Sequence, residues 1–358
     1  MMKRVYNFSA GPAVLPQEVL EEAQEHLLSY KDSGMSILES SHRGKEYSAI
    51  HEEGIANITQ LLDVPDDYAV LFLQGGATTQ FSMVPMNLLG DRRVADYTNS
   101  GAWASKAIHG AQSIGRVNVC ADTSKDRPAR VPEISELNLT PQATYLHITS
   151  NETISGAQWK YFPEPSVPLV ADMSSDILSK PIDVTSFGLI YAGAQKNLGP
   201  AGVTLVIIRK DLARRVGDEV PEIFRYKTHI DNNSLYNTPP CFSIYLVTLV
   251  TRWLLKQGGL EEVQKRNEDK ALRLYRAIDK SSFFEGTALK DYRSDMNVTF
   301  NLSTEDLEQT FVQEASQHDL KGLKGHRSVG GVRASIYNAF PLEGVETLTH
   351  FMKEFEAT

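Results

Sequence analysis

The chain has 358 residues, 36 Lys and Arg against 45 Asp and Glu for a net charge of −9, 41% hydrophobic residues and two cysteines. This is the make-up of a soluble globular protein, long enough for about two domains and for a core that needs no disulfide staples. It excludes a disulfide framework or a CxxC pair, so Cys120 and Cys241 read as core packing and the expected setting is reducing and cytoplasmic. Net negative charge opposes nucleic acid as a partner, and Lys125, Arg127 and Arg130 form only a short basic loop. The longest apolar run, SIYLVTLVTRWLL, is cut by Arg252, so no membrane span is expected. The beginning of the chain follows Lys3 and Arg4 with Asn7, Ser9, Gly11 and Pro12, which break an apolar signal-peptide core.

From residue 16 onward, helical and strand patterns alternate, the signature of an α/β fold with a mostly parallel, covered sheet. PQEVLEEAQEHLLSY, opened by Pro16, and EYSAIHEEGIANITQLLDV read as amphipathic helices. YAVLFL is a strand, followed by Gly75, Gly76 and a helix over ATTQFSMVPMNLL. RVADY, RVNVC, TYLHIT, PLVADM, FGLIYAG and VTLVIIR supply six more strands, which together predict one seven-stranded sheet. After Pro239 and Pro240 come two long helices, then the strands NVTFNL and VRASIY around a polar helix, a smaller α+β unit. The expected division is a large domain over 16–255 and a small domain of 1–15 with 256–358. No repeat or low-complexity tract is present.

The chain lacks HExxH, GxxxxGK[ST], GxSxG and a strand-to-helix GxGxxG, which removes support for metalloprotease, P-loop and hydrolase chemistry. Its nine histidines are scattered without metal-ligand spacing, so no metal is expected. Four elements can carry chemistry. LFLQGGATTQF places Ala77 and Thr78 at a helix N-terminus whose free N–H groups suit a phosphate, although a turn capped by Thr78 or Thr79 would have the same sequence. In FGLIYAGAQKNLGPAG, Lys196 is crowded by small residues between two apolar strands, which favours the neutral amine that forms a Schiff base; a solvated loop lysine is the competing reading. Asp172 ends a buried strand, where open α/β sheets place ligand groups, and pairs with Lys196 as a partner for a cofactor nitrogen. Finally, His42 and Arg43 near one end of the chain and His326, Arg327 and Arg333 near the other are two cationic sets matched to a small polyanion, with Gly330 and Gly331 allowing close ligand approach. Solvated surface charge is the alternative for these.

These motifs occur in one order: NFSAGPAVLP at 7–16, SHRGKEY at 41–47, QGGATTQF at 74–81, Trp103 in SGAWASKA, NETISG at 151–156, GAQKNLGPAG at 193–202, NTPPCFSIY at 237–245 and GHRSVGGVRASIYNA at 325–339. In that order and from end to end, the chain resembles the phosphoserine aminotransferase family of the class V pyridoxal-phosphate-dependent aminotransferases. The resemblance implies the fold-type I architecture, with pyridoxal 5'-phosphate as cofactor. Lys196 would carry it as a Schiff base and shuttle the proton, Asp172 would keep the ring nitrogen protonated, and Trp103 would stack on the ring. Thr153 would bond the phenolic oxygen, while Ala77, Thr78 and Gln195 would hold the phosphate. The implied assembly is a homodimer with shared active sites, in which Asn237 and Thr238 reach the neighbour's phosphate. Ser9, His42, Arg43, His326, Arg327 and Arg333 would bind the substrates, Arg333 taking the α-carboxylate. The implied reaction runs between L-glutamate and 3-phosphohydroxypyruvate, a phosphorylated 2-keto acid, in serine biosynthesis. In many bacteria the family also serves vitamin B6 synthesis. Rival readings are another lysine-dependent transferase, including a cysteine desulfurase for which neither Cys120 nor Cys241 is well placed, and a non-catalytic anion-binding protein that has kept the fold.

Overall fold

A computed structural model describes residues 4–90 and 93–357. The seven apolar runs become neighbours in one sheet, in the order Tyr68–Leu73, Thr204–Arg209, Leu189–Gly193, Leu169–Asp172, Leu146–Thr149, Val94–Asn99 and Arg116–Asp122. Thr204–Arg209 runs antiparallel to both its neighbours, and the remaining pairs are parallel. Helices cover both faces, which is why a central strand such as Leu189–Gly193 is apolar and buried along its whole length.

Alternation of side chains sorts the core into two layers. Phe72, Ala171 and Ile190 pack with Ile50, Ile58 and Val247 from helices Lys45–Leu62 and Cys241–Lys256. Leu71, Val170 and Tyr191 pack on the other face with Phe81, Val84 and Ile108 from helices Gly76–Leu88 and Ala102–Gln112. Asp172 shares the face of Val170, two residues earlier, and so looks toward the second pair of helices. Because the strands are parallel, Leu73, Asn99, Thr149, Asp172 and Gly193 all end at one edge, where an open α/β sheet offers its crevice.

Toward the C-terminus, strands Glu285–Gly286, Asn297–Asn301 and Val332–Ser335 form a small antiparallel sheet. Helices Gly259–Lys280, Glu305–Gln317 and Leu342–Glu356 enclose it around an aromatic core, with Phe284 and Phe300 edge to face at 5.6 Å. Tyr6–Asn7 pairs with Leu320–Lys321, and Phe8 is buried in that same core. Lys270 is buried there and donates to the carbonyls of Ile336, Tyr337 and Phe340 at 2.9, 2.6 and 3.1 Å.

One expected element is shorter than its sequence pattern. The helix read over 16–30 spans Gln17–Glu25. Beyond it the Ser29 and Ser33 hydroxyls bond backbone groups of the loop, an alternative to helical bonding, and Leu28 is left 88% exposed. Both cysteines are free; Cys120 is buried and Cys241 half-buried.

Candidate active site

Three strand ends converge on Lys196. It lies three residues beyond Leu189–Gly193, and its Nζ donates to Thr153 Oγ1 at 2.6 Å, in the turn that follows Leu146–Thr149. The same Nζ stands 5.3 Å from the centre of the Trp103 ring, at the start of the helix after Val94–Asn99. Lys196 keeps some open surface, yet burial of its surroundings lowers the amine to about 8, against the upward pull of Asp172 and Glu152. Asp172 ends the adjacent strand and is buried. Burial raises its carboxyl, while the Ser174 hydroxyl, the Lys196 charge and the Ser174 N–H pull it down. Both Ser174 bonds, at 2.6 and 2.9 Å, go to Oδ1, so Oδ2 is the oxygen left for a further donor.

The glycine turn lacks the side-chain cap of its competing reading. Gly75 (φ 91°) and Gly76 (φ 65°) are left-handed, and no side chain caps helix Gly76–Leu88. The Thr79 hydroxyl instead donates back to the Gly75 carbonyl at 3.0 Å, and Thr78 is exposed. The first-turn N–H groups beside Ala77 and Thr78 are therefore available to an anion. Gln195 folds against Gly193, where an added Cβ would lie 2.7 Å from its Oε1.

Cations face this edge from the small sheet. Arg333 lies on Val332–Ser335 with its buried Nε unpartnered, and its charge is felt by Lys196. Burial lowers His326, with the Arg333, Arg327 and Lys106 charges adding to the effect. The N-terminal segment closes over the lysine: a Cβ on Gly11 would lie 3.2 Å from the Lys196 Cγ, and the Ala13 N–H donates to the Gln195 carbonyl. Ser9 packs on Gly322, four residues before His326.

Gly331 also has a packing reason within the chain. A Cβ on Gly331 would come within 2.4 Å of Asn301 Oδ1, and one on Gly325 within 1.9 Å of the Gly330 carbonyl, so close chain crossing demands glycine at 331 and 325, while Gly330 has room for a Cβ and a left-handed φ of 70°. His42 and Arg43 precede helix Lys45–Leu62, and none of the described bonds or ring contacts joins them to Lys196 within one chain. Asn237 donates to Gln74 Oε1 at 2.8 Å, beside its own glycine turn, with Thr238 next to it.

Two residues of the site escaped the sequence reading. Lys106, one helical turn after Trp103, holds its Nζ 4.3 Å from the ring centre. Glu152, fully buried, accepts from the N–H groups of Trp103 and Ala104. The first had a signal in its i,i+3 spacing; the second sat unexamined inside NETISG. Among the described residues no metal-binding cluster occurs, and no helix is long and apolar enough to cross a membrane.

This donor set fits pyridoxal phosphate. A lysine with lowered pKa, a buried carboxylate with one oxygen spare, an uncapped helix N-terminus and an indole whose buried Nε1 lacks a partner meet at one crevice. The family model for aminotransferase class-V matches residues 5–348. The chain is 55% identical to the phosphoserine aminotransferase of Desulfosudis oleivorans over all of this chain and 99% of that protein, and 54% identical to that of Niallia circulans over 99% of each. The solved phosphoserine aminotransferase of Bacillus circulans subsp. alkalophilus superposes with a TM-score of 0.96 at 52% identity, covering 99% of both chains. The PLP-bound enzyme of Trichomonas vaginalis matches at 0.94 and 40% identity, over 98% of this chain and all of that one. With both the site geometry and full-length likeness in agreement, the chain belongs to the class V aminotransferases, pyridoxal-phosphate enzymes, and within them to the phosphoserine aminotransferase family.

Proposed function

We propose that this chain transfers the amino group of L-glutamate to 3-phosphohydroxypyruvate, giving 2-oxoglutarate and O-phospho-L-serine, in the cytoplasm and as a homodimer. The observation that carries this is the neutral-prone Lys196 amine, held by Thr153 beneath Trp103 and faced by Arg333 and the His326–Arg327 turn. Pyridoxal phosphate supplies an aldehyde that condenses with amines and a ring that withdraws the electrons of the substrate's broken Cα–H bond.

The residues divide that work. Lys196 Nζ would anchor the cofactor and, once freed, would take the proton from the substrate Cα and deliver one back on the same face. Asp172, whose Oδ2 is free of the Ser174 bonds, would accept from the ring nitrogen, a contact that would favour its ionised form against burial. Trp103 covers one ring face and Thr153 bonds the phenolic oxygen. Ala77 and Thr78 N–H groups with Gln195 hold the phosphate.

Arg333 takes the α-carboxylate in both half-reactions. Arg327, His326 and, from a second copy, His42 and Arg43 take the substrate phosphate or the glutamate side-chain carboxylate, with Ser9 alongside. Dimerisation accounts for the placement of His42 and Arg43. They follow a stretch in which Leu27, Leu28, Met35 and Leu38 are exposed, an apolar surface that a partner would cover. Asn237 and Thr238 would then reach the partner's phosphate. The division into 16–255 and 1–15 with 256–358 is supported by Phe8, which packs with the C-terminal aromatic core. The two free cysteines suit a reducing compartment.

The experiment is a coupled assay of purified protein with glutamate and 3-phosphohydroxypyruvate, with and without added pyridoxal phosphate. A phosphorylated keto acid of vitamin B6 synthesis and an unphosphorylated one serve as further acceptors, and light scattering gives the assembly state. Phosphate-dependent turnover that disappears in Lys196→Ala is expected. Equal use of the unphosphorylated acceptor, or turnover surviving in Lys196→Ala, would overturn the reading.

A further inference from the structure

Glu152 is a fully buried carboxylate with no cationic partner among the described bonds. Its Oε2 accepts from the Trp103 N–H at 3.2 Å, and its Oε1 accepts from the Ala104 N–H at 3.1 Å and the Ser100 hydroxyl at 3.3 Å. These N–H groups belong to the first turn of helix Ala102–Gln112, which has no cap of its own because Gly101 occupies the N-cap. A negative charge at a helix N-terminus satisfies orphan donors and complements the helix dipole. The carboxylate comes from a different element, the two-residue strand Asn151–Glu152, and the chain makes room for it: a Cβ on residue 101 would lie 2.7 Å from the Glu152 carboxyl carbon.

We infer that Glu152 is a positioning residue that locks the Trp103 ring and the Thr153 hydroxyl into one frame around the cofactor. Its side chain fixes the backbone that carries Trp103, and its backbone adjoins Thr153, which accepts from Lys196. A shift of either would open the gap between the ring face and the lysine. Burial pushes the Glu152 carboxyl up to about 7, partly offset by the Ala104 and Trp103 N–H bonds, while its charge raises Lys196. Ionised, it accepts all three donors and supports the charged amine.

This inference rests on the proposed contacts of Trp103 and Thr153 with pyridoxal phosphate. The test measures pyridoxal phosphate retention by equilibrium dialysis, and the pH at which the holoenzyme's visible absorbance titrates, in Glu152→Gln, Trp103→Ala and the double variant. Losing one charge-assisted hydrogen bond, Glu152→Gln should release the cofactor about tenfold more readily and move the absorbance titration to lower pH. In the Trp103→Ala background the same change should add less than twofold to release, because the ring it positions is gone. Gly101→Ala, which displaces the carboxylate without removing it, should also weaken retention and covers the case in which Glu152→Gln does not fold. Wild-type retention in both Glu152→Gln and Gly101→Ala, or additive losses in the double variant, would overturn the inference. Unchanged retention in Trp103→Ala alone would instead overturn the assignment of Trp103 to the cofactor.

Discussion

In the proposed function the chemistry turns on the neutral fraction of Lys196, which can be followed by changing pH alone. With its pKa lowered from 10.5 to about 8, the amine is about 9% neutral at pH 7, against about 0.03% for an ordinary lysine, a gain of about 300-fold in the nucleophilic form. Stripped of cofactor and mixed with pyridoxal phosphate, the protein should capture it with a rate constant that rises about tenfold from pH 7 to a plateau above pH 9, half-maximal near the amine's value of about 8. Absorbance in the visible follows the capture directly. Because the Arg333 charge helps to depress the amine, Arg333→Gln should move the midpoint to higher pH. A rate that climbs without levelling through pH 10, or a midpoint unmoved in Arg333→Gln, would refute the link between burial, local charge and reactivity.

Other expectations follow from single contacts. Gly75→Ala forces a left-handed conformation at about 1–2 kcal/mol and sets a Cβ 1.9 Å from the Thr79 hydroxyl, so cofactor affinity should fall at least tenfold by dialysis; an unchanged affinity would mean the turn does not hold the phosphate. Arg327→Ala should raise the KM for the phosphorylated keto acid more than that for glutamate, because a dianion loses more from one missing guanidinium; equal effects would count against phosphate recognition there. Lys270→Met leaves three buried carbonyls without their donor, and urea denaturation should show a loss of about 3–5 kcal/mol; a loss below about 1 kcal/mol would show that the carbonyls find other partners.

The seven sheet strands were legible because burial on both faces leaves short apolar runs bounded by turn residues, and Leu189–Gly193 or Thr204–Arg209 has no competing pattern. Helix Ala102–Gln112 was not read as one: it is built largely of Ala, Ser and Gly, and its start is fixed by Glu152 from about 50 residues away. The end of the first helix was misjudged for the opposite reason, since serine-to-backbone bonds in the 26–36 loop are local but carry no periodicity. Lys196 and Asp172 were visible as strand-end residues. The lowered amine was expected from the small residues around Lys196, and burial with the Arg333 charge is its cause; what the spacing does not show is that Thr153 and Trp103, from two other strand ends, meet its Nζ. The resemblance named those partners, and both stand beside the Lys196 Nζ.

In the proposed function Lys196 and Asp172 have opposite requirements, since the first would be neutral to react and the second ionised to hold a protonated ring nitrogen. Their mutual attraction favours both charges, whereas burial favours both neutral forms. The pocket breaks this symmetry with dipoles. Asp172 accepts two bonds from Ser174, which support its charge. Lys196 donates its described bond to the Thr153 hydroxyl, a neutral acceptor that satisfies the amine in either state. Arg333 adds positive charge on the lysine side alone. Burial prevails at both groups, lowering the amine and raising the carboxyl, but at the carboxylate the Ser174 bonds oppose it. With pyridoxal phosphate bound as proposed, the ring nitrogen's N–H would stand in for the Lys196 charge that assists Asp172. Before that, the Ser174 bonds and the Lys196 charge together are what oppose burial at the carboxylate.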